Sequence, residues 1–327
     1  MNIGVGVAAL ALTLAATAAH AGDYRAPRTP SGAPNLEGLW TNASYTKLQR
    51  PKGLTSLVIS RDAARAHEAT LVKYHGVATP PTGDPVGQND SEFPDSGDGL
   101  AVIRGQIRTS WIVAPVDGKI PYTAETKKRL HIGDATPPES FDNPEDRPQL
   151  ERCLVSTGSS PPLLSAQDAN IFQFVQTADH LVVVSEKNHD VRIIPIGGRR
   201  DPTAPRTWTG NAIGHWAADT LVVETDGFRG DLINRNAMAH SGDAHVVERF
   251  TRTAPGEVLY EFAVTDPKSF SQTWRGEMQF RATKGPLYEY ACHEGNYSLP
   301  SILAAARQGH QQPDHAPTVV AAAAKAP

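Results

Sequence analysis

Ile171-Phe-Gln-Phe-Val-Gln-Thr177, Leu181-Val-Val-Val-Ser185 and Val191-Arg-Ile-Ile-Pro-Ile196 are three successive runs rich in β-branched and aromatic residues. Each is too short for a stable helix, and each is bounded by polar or turn-forming residues, the pattern of strands. Ala178-Asp179-His180 joins the first two runs, a hairpin-length connection. The pattern continues downstream. Ala217-Ala218-Asp219 precedes Thr220-Leu-Val-Val-Glu-Thr225, and Ala254-Pro255-Gly256-Glu257 lies between runs at 245–253 and 258–265. Lys284-Gly285-Pro286 separates a run at 273–283 from one at 287–293. Short connections make neighbouring strands antiparallel and leave no room for βαβ crossovers. The expectation is a mainly β fold. An antiparallel meander of seven or more strands over 171–297 should close into a barrel or strongly curved sheet.

Upstream, residues 22–170 are loop-rich. Leu36-Glu37-Gly38-Leu39-Trp40-Thr41 reads as an opening strand, and Ser60 as the N-cap of a helix over 61–74. Ser110-Trp111-Ile112-Val113 reads as a strand, with Asp117-Gly118 as a turn after it. Thr123 should cap a short helix to Leu130, and 76–98 and 133–148 read as loops. This region is expected to wrap over the β unit. Downstream, Ser298 and Pro300 start a short helix to Arg307, so the β unit with its helix spans 171–307. Residues 308–327, rich in Ala, Pro, His and Gln, are expected to be a disordered tail.

Residues 1–21 read as a signal peptide. Val5 to Ala19 is an apolar run of small residues, and Ala19-His20-Ala21 has the form of a cleavage site, with cleavage after Ala21. The mature chain is therefore expected in the periplasm or secreted. No later stretch approaches the ~20 apolar residues of a membrane-spanning helix. A net charge of −4 with acids and bases interspersed argues against a nucleic-acid partner or an anionic membrane surface. Nothing in the chain specifies an oligomeric state.

Cys153 and Cys292 are the two cysteines. In an oxidising compartment a disulfide is the first reading. Closing a loop of about 140 residues would stabilise the fold by at most about 4–5 kcal/mol in the chain-entropy picture. The rival reading makes Cys292 a thiolate nucleophile beside His293, but adjacent residues on a strand point to opposite faces.

Two polar clusters could carry chemistry. Glu186-Lys187-Asn188-His189-Asp190-Val191-Arg192 lies between two strands. His189 there can serve as a general base or metal ligand, with a carboxylate nearby to fix its tautomer. Equally, Asn-His-Asp is a good hairpin tip. Arg192 alternates with Val191 and Ile193 and so should face a lumen or solvent. The second cluster, Tyr288-Glu289-Tyr290-Ala291-Cys292-His293-Glu294-Gly295-Asn296-Tyr297, should end the last strand at a barrel mouth. His293 can instead be a structural residue beside a helix start capped by Asn296 or Ser298.

Glu248 shares a strand face with Val246 and Phe250, and Glu224 with Val222. A carboxylate on an apolar face is costly unless paired or protonated, so either is a candidate acid; the alternative is a salt bridge to Arg249, Arg252 or Arg281. His245 could join His189 and His293 in a three-histidine metal site, yet no spacing demands it. No metal or other cofactor is expected. There is no His-Glu-x-x-His or Cys-x-x-Cys, and no Gly-x-Ser-x-Gly. Gly197-Gly198-Arg199-Arg200 is not a phosphate loop.

The chain resembles a widespread family of exported bacterial β-rich proteins with a C-terminal motif of the type Tyr290-Ala291-Cys292-His293-Glu294-Gly295-Asn296-Tyr297. The resemblance also rests on Ile112-Val113-Ala114-Pro115-Val116-Asp117-Gly118-Lys119-Ile120-Pro121, Glu151-Arg152-Cys153-Leu154, His189-Asp190-Val191-Arg192-Ile193-Ile194-Pro195 and Gly214-His215-Trp216. It implies export and a β-rich fold and assigns no chemistry. The opening Gly38-Leu39-Trp40 also looks like the start of a lipocalin, which tilts the expectation toward a barrel.

Two functions fit these residues. The first is a cofactor-free enzyme carrying out an elimination, isomerisation or hydrolysis on a small apolar or aromatic molecule. His189 or His293 would be the base and Glu248 or Glu294 the acid. Tyr288 or Arg192 would stabilise negative charge. The second is a non-catalytic periplasmic binding or carrier barrel, which needs mainly an apolar lumen.

Overall fold

A computed structural model describes residues 24–75, 97–132, 141–156, 158–166, 168–230 and 240–311. The expected signal peptide, nearly all of the 76–98 loop, half of the 133–148 loop and most of the 308–327 tail lie outside the described residues.

All but the last of the expected hairpins form. β6 (Ile171–Gln176) turns into β7 (His180–Ser185), which leads to β8 (Val191–Pro195). β9 (Asn211–Ala217) turns through Ala218-Asp219 into β10 (Thr220–Asp226). β11 (His245–Ala254) and β12 (Glu257–Thr265) flank Pro255-Gly256, and β13 (Trp274–Ala282) follows. All these neighbours pair antiparallel.

Two short strands from the N-terminal region complete the sheet. β1 (Gly38–Thr41) pairs β6 on one side and β13 on the other. β5 (Ile112–Ala114) pairs β13 farther along. The order is therefore β8-β7-β6-β1-β13-β12-β11-β10-β9, so β1 joins two meanders that have no hairpin between them. The expectation that 171–297 alone makes the barrel is corrected here.

The sheet curls until its two edges nearly meet. β8 and β9 touch through a single parallel bridge, Ile196 to Gly214, with Gly197 N donating to Gly214 O at 2.7 Å. The result is a nearly closed antiparallel barrel.

A second correction concerns residues 287–293, expected as a final strand. They pair with no strand, and 292–295 form a turn. Both edges of β13 are already taken, by β12 on one side and by β1 and β5 on the other. Thr283 N still donates to Leu39 O at 3.0 Å, and the chain then turns away at Gly285, whose φ is +72°. The end of β13 at Arg281 and Ala282 has partners on both sides, so no place remains there for a returning strand.

Side chains fill the interior. Phe174 meets Phe250 and Phe280 edge-on, Tyr260 packs on Phe250, Phe262 and Phe280, and Trp274 sits between Phe262 and Phe270. Trp40, Phe172, Val246, Val258 and Met278 are buried in the same cluster. Gly276 faces Phe262 across the β12–β13 pair, and a Cβ there would lie 2.1 Å from the ring.

The N-terminal region lies against the outside. β2 (Val58–Ile59), β3 (Val102–Ile103) and β4 (Gln106–Arg108) form a small second sheet. Arg104 donates to Glu277 and Glu261 at 3.0 Å each, and Arg108 to Glu277 at 2.7 Å, which ties that sheet to β13 and β12. α1 (Arg61–His75) starts at Ser60, whose hydroxyl accepts from Ala63 N. α2 (Ala124–Arg129) starts at Thr123, whose hydroxyl accepts from Thr126 N. α3 (Ser298–Gln311) starts beside Asn296, which accepts from Ser298 N, and runs longer than the expected stop at Arg307. No helix among the described residues is long and apolar enough to cross a membrane. Cys153 and Cys292 form a disulfide.

Gly276→Ala should cost about 1–3 kcal/mol, because the new methyl overpacks the Phe262 ring; urea unfolding measures it, and an unchanged midpoint would mean the ring moves freely. Reducing Cys153–Cys292 should lower the melting temperature, with a loss of at most about 4–5 kcal/mol. Calorimetry with and without reductant reads this directly.

Candidate functional site

The two polar clusters meet. Residues 283–297 form a strap that crosses the turn between β7 and β8. Glu186, itself buried, accepts from Tyr288 N of the strap at 3.1 Å and from Ile171 N of β6 at 3.3 Å. His189 Nδ1 lies 3.0 Å from Tyr290 O. Lys187 Nζ donates to Asp168 at 2.5 Å and sits 4.5 Å above the Tyr290 ring. The disulfide fastens the far end of the strap to Cys153, and Asn296 Nδ2 reaches Cys292 O at 3.4 Å.

The turn is strained and incompletely satisfied. Asn188 and His189 are consecutive residues in the left-handed region, with φ of +61° and +44°. Asn and His enter that region more readily than most residues, but it still carries a cost for any residue other than glycine. Asn188 is buried, yet neither its amide oxygen nor its amide nitrogen has a partner. One oxygen of the half-buried Asp190 is also unpartnered. Buried polar atoms without protein partners are rare, and each calls for an explanation.

Burial raises the Asp190 carboxyl above its ordinary value, and a bond from Ser159 and the charge of His189 offset only part of that. Ser159 belongs to a buried segment that leads into the barrel mouth. Its hydroxyl meets the Ser156 hydroxyl at 2.9 Å, and Gly158 O accepts from Ser185 at 3.3 Å.

The His189 bond has a chemical consequence. A backbone carbonyl can only accept, so Nδ1 must carry the hydrogen in this contact. In the neutral ring Nε2 is then the bare nitrogen, held at the exposed face of the turn, where it can take a proton.

The other expected site residues fall elsewhere. Arg192 and Glu248 face inward and pair at 2.7 and 3.1 Å. Tyr260 Oη donates to Glu248 at 2.8 Å and accepts from Leu163 N at 2.8 Å. Thr225 Oγ1 lies 3.5 Å from Arg192. All three charged or phenolic groups are enclosed. Burial alone would lower the Arg192 value, but Glu248 more than offsets it and the net direction is upward. Burial, and then the Glu248 charge, push the Tyr260 hydroxyl well up. Arg192 thus faces the interior, as its alternation with Val191 and Ile193 allows. The partner of Glu248 is Arg192, not Arg249, Arg252 or Arg281.

His293, Glu294 and Tyr288 are exposed on the strap. His245 is on β11, with Nε2 4.0 Å from Glu224. Among the described residues no group of three or more His, Cys, Asp or Glu is placed to hold a metal ion, so His189, His245 and His293 do not form one cluster.

No protein family, curated protein or solved structure matches the chain.

The sequence reading passed over Asn188 and Ser159 as site residues. Asn188 enters the sequence argument only as part of a hairpin tip, and Ser156, Ser159 and Ser160 do not enter it. Their burial comes from the barrel mouth closing around them.

The raised carboxyl sets a pH test. Native Asp190 keeps its proton to higher pH than the unfolded chain, so the native state binds more protons between the ordinary value of 3.8 and its own raised value. Through that window its contribution falls as pH rises. Asp190→Asn removes the effect, so the variant should gain stability relative to wild type across the window and hold that gain above it. Urea midpoints at a series of pH values measure this; parallel curves for the two proteins would contradict it.

Proposed function

We propose that the chain is an exported protein that performs acid–base chemistry on a small molecule where the strap crosses the β7–β8 turn. The observation that carries the reading is the His189 Nδ1 contact to Tyr290 O at 3.0 Å. It leaves Nε2 as a proton acceptor beside a carboxyl whose value burial has raised. His189 is then the base, with a bare lone pair on Nε2, and Asp190 the acid, its carboxyl raised by burial. The Asn188 amide, with both ends unpartnered, orients a polar group of the substrate. Tyr288, exposed at the edge of the strap, offers an apolar or aromatic substrate a ring to lie against.

Proton abstraction and return without a cofactor fit an isomerisation or elimination better than a hydrolysis, because among the described residues the His189 ring is bonded to the Tyr290 carbonyl and to no hydroxyl or thiol. Export to the periplasm, with a leader removed after Ala21, is part of the same proposal. A disulfide persists in oxidising compartments and supports it. The carrier reading needs an open apolar lumen, and aromatic rings and the Arg192–Glu248 pair occupy the interior.

The test is proton exchange in deuterated water, followed by NMR, with a panel of small carbonyl and hydroxy-aromatic compounds. His189→Ala and Asp190→Asn should each slow turnover by about a hundredfold or more, the usual contribution of a positioned acid or base. Melting temperatures no lower than wild type would show that the effect is chemical. Full turnover in both variants, or binding without turnover in wild type, would overturn the assignment.

A further inference from the structure

The disulfide is the first link in a chain of contacts that ends on His189. Tyr290 O, the carbonyl that receives His189 Nδ1 at 3.0 Å, also accepts from Cys292 N at 3.0 Å. A carbonyl oxygen has two lone pairs, so one atom serves both donors. The bond from Cys292 closes a three-residue turn over Tyr290, Ala291 and Cys292. The cysteine that fastens the strap is therefore the residue that aims the carbonyl holding the ring.

Little else fixes that carbonyl. From Lys284 to Ile302 no residue is buried, so core packing does not hold the strap. A segment with so few buried contacts opens easily unless it is tied down. Upstream, the tie is Tyr288 N donating to Glu186 at 3.1 Å. The Tyr290 ring lies under Lys187 Nζ, a contact that holds the side chain and not the direction of the carbonyl. Downstream, among the described residues, the hydrogen bonds of 291–297 stay within 290–301, apart from Asn296 Nδ2 at 3.9 Å from Cys153 Sγ. The covalent bond to Cys153 is thus the downstream tie.

The other side of the disulfide stands on firm ground. Cys153 N donates to Leu150 O at 3.0 Å, and Leu154 N to Gln149 O at 2.9 Å, with Gln149 buried. Both cysteines are only half-buried, so a small reductant can reach the bond.

We propose that Cys292, through its disulfide to Cys153, positions His189, and that reduction of this disulfide by a dithiol switches the base off. The inference rests on His189 as the base proposed above. In the reduction the dithiol gives up two electrons and two protons and becomes a disulfide, and Cys153 and Cys292 become thiols. The carbonyl of Tyr290 then turns freely and no longer selects the ring with hydrogen on Nδ1. The neutral ring divides between its two tautomers, and wherever Nε2 carries the hydrogen it cannot take a proton from a substrate.

The experiment uses the whole protein, labelled with nitrogen-15 at histidine, oxidised and then reduced with dithiothreitol below the melting temperature of the reduced form. The His189 signals are assigned by their loss in His189→Ala. At a pH where the ring is neutral, the oxidised protein should show Nδ1 at the shift of a protonated nitrogen and Nε2 at that of a bare one. Reduction should draw the two shifts together, and re-oxidation should restore them. On a compound that the oxidised protein turns over, reduction should slow proton exchange about fivefold, the weight of one hydrogen bond. A glycine inserted after Ala291 keeps both cysteines free to pair but moves Cys292 N away from Tyr290 O. That variant should show mixed tautomers with its disulfide intact, which separates this link from any loss of stability. Mixed tautomers in the oxidised wild type overturn the proposal. So does an unchanged tautomer in the reduced protein or in the insertion variant. The tautomer is read without a substrate, so these outcomes are distinct from failure of His189 as the base, which turnover in His189→Ala reports.

Discussion

The pairing of Arg192 with Glu248 is the constraint on which the barrel depends. Both groups are enclosed, and a buried charge without its partner costs about 3–5 kcal/mol. The pair is therefore less a source of stability than a condition on the fold. In the sheet order β8 lies at one edge and β11 near the other, so the two residues reach each other only once the sheet has curled. The edges themselves share just one bridge, between Ile196 and Gly214. Side chains close the seam that the backbone leaves nearly open. The inward positions of β9 suit this, since Ala212 and Gly214 stand opposite Thr225 and Val223 of β10.

The same pair organises what surrounds it. Glu248 also receives the Tyr260 hydroxyl, which in turn accepts from Leu163 N, so the segment that enters the barrel mouth is fixed to the same carboxylate. Arg192 lies two residues past Asp190, and its inward register sets how the β7–β8 turn meets the mouth. With rings and an ion pair filling the interior, the unpartnered Asn188 amide and Asp190 oxygen lie at the rim, in the β7–β8 turn. The strap then covers that rim, held by Glu186, His189 and the disulfide.

Local features of this fold were legible in the sequence because local chemistry determines them. Asp117-Gly118, Ala178-Asp179-His180 and Pro255-Gly256 mark turns by their own backbone preferences, and Ser60 and Thr123 cap helices through hydroxyls a few residues away. Two cysteines in a chain expected to be exported made the disulfide the first choice. Long-range partners were not legible. Nothing in Gly38-Leu39-Trp40-Thr41 says that it joins two meanders, and Leu287 to His293 has strand composition but finds no free edge. Period-two alternation put Arg192 opposite Ile193, and Glu248 with Phe250. Neither observation could say that they meet across a barrel. At the candidate site, His189 was visible by its chemistry. The burial of Asn188 and the burial that raises the Asp190 carboxyl come from the folded chain around them and have no local signal in the sequence.

Amide hydrogen exchange on Glu248→Gln tests the central claim most directly, because it removes the charge and keeps the shape. The account predicts that amides of β8 and of Gly197, which bridges to Gly214, lose protection by about a hundredfold or more, the scale of an unpaired buried charge. The paired amides between β11, β12 and β13 should keep most of theirs, since their ladders are complete on both sides. A uniform loss across the sheet, or no loss at the seam, would contradict the claim that this ion pair is what closes the barrel.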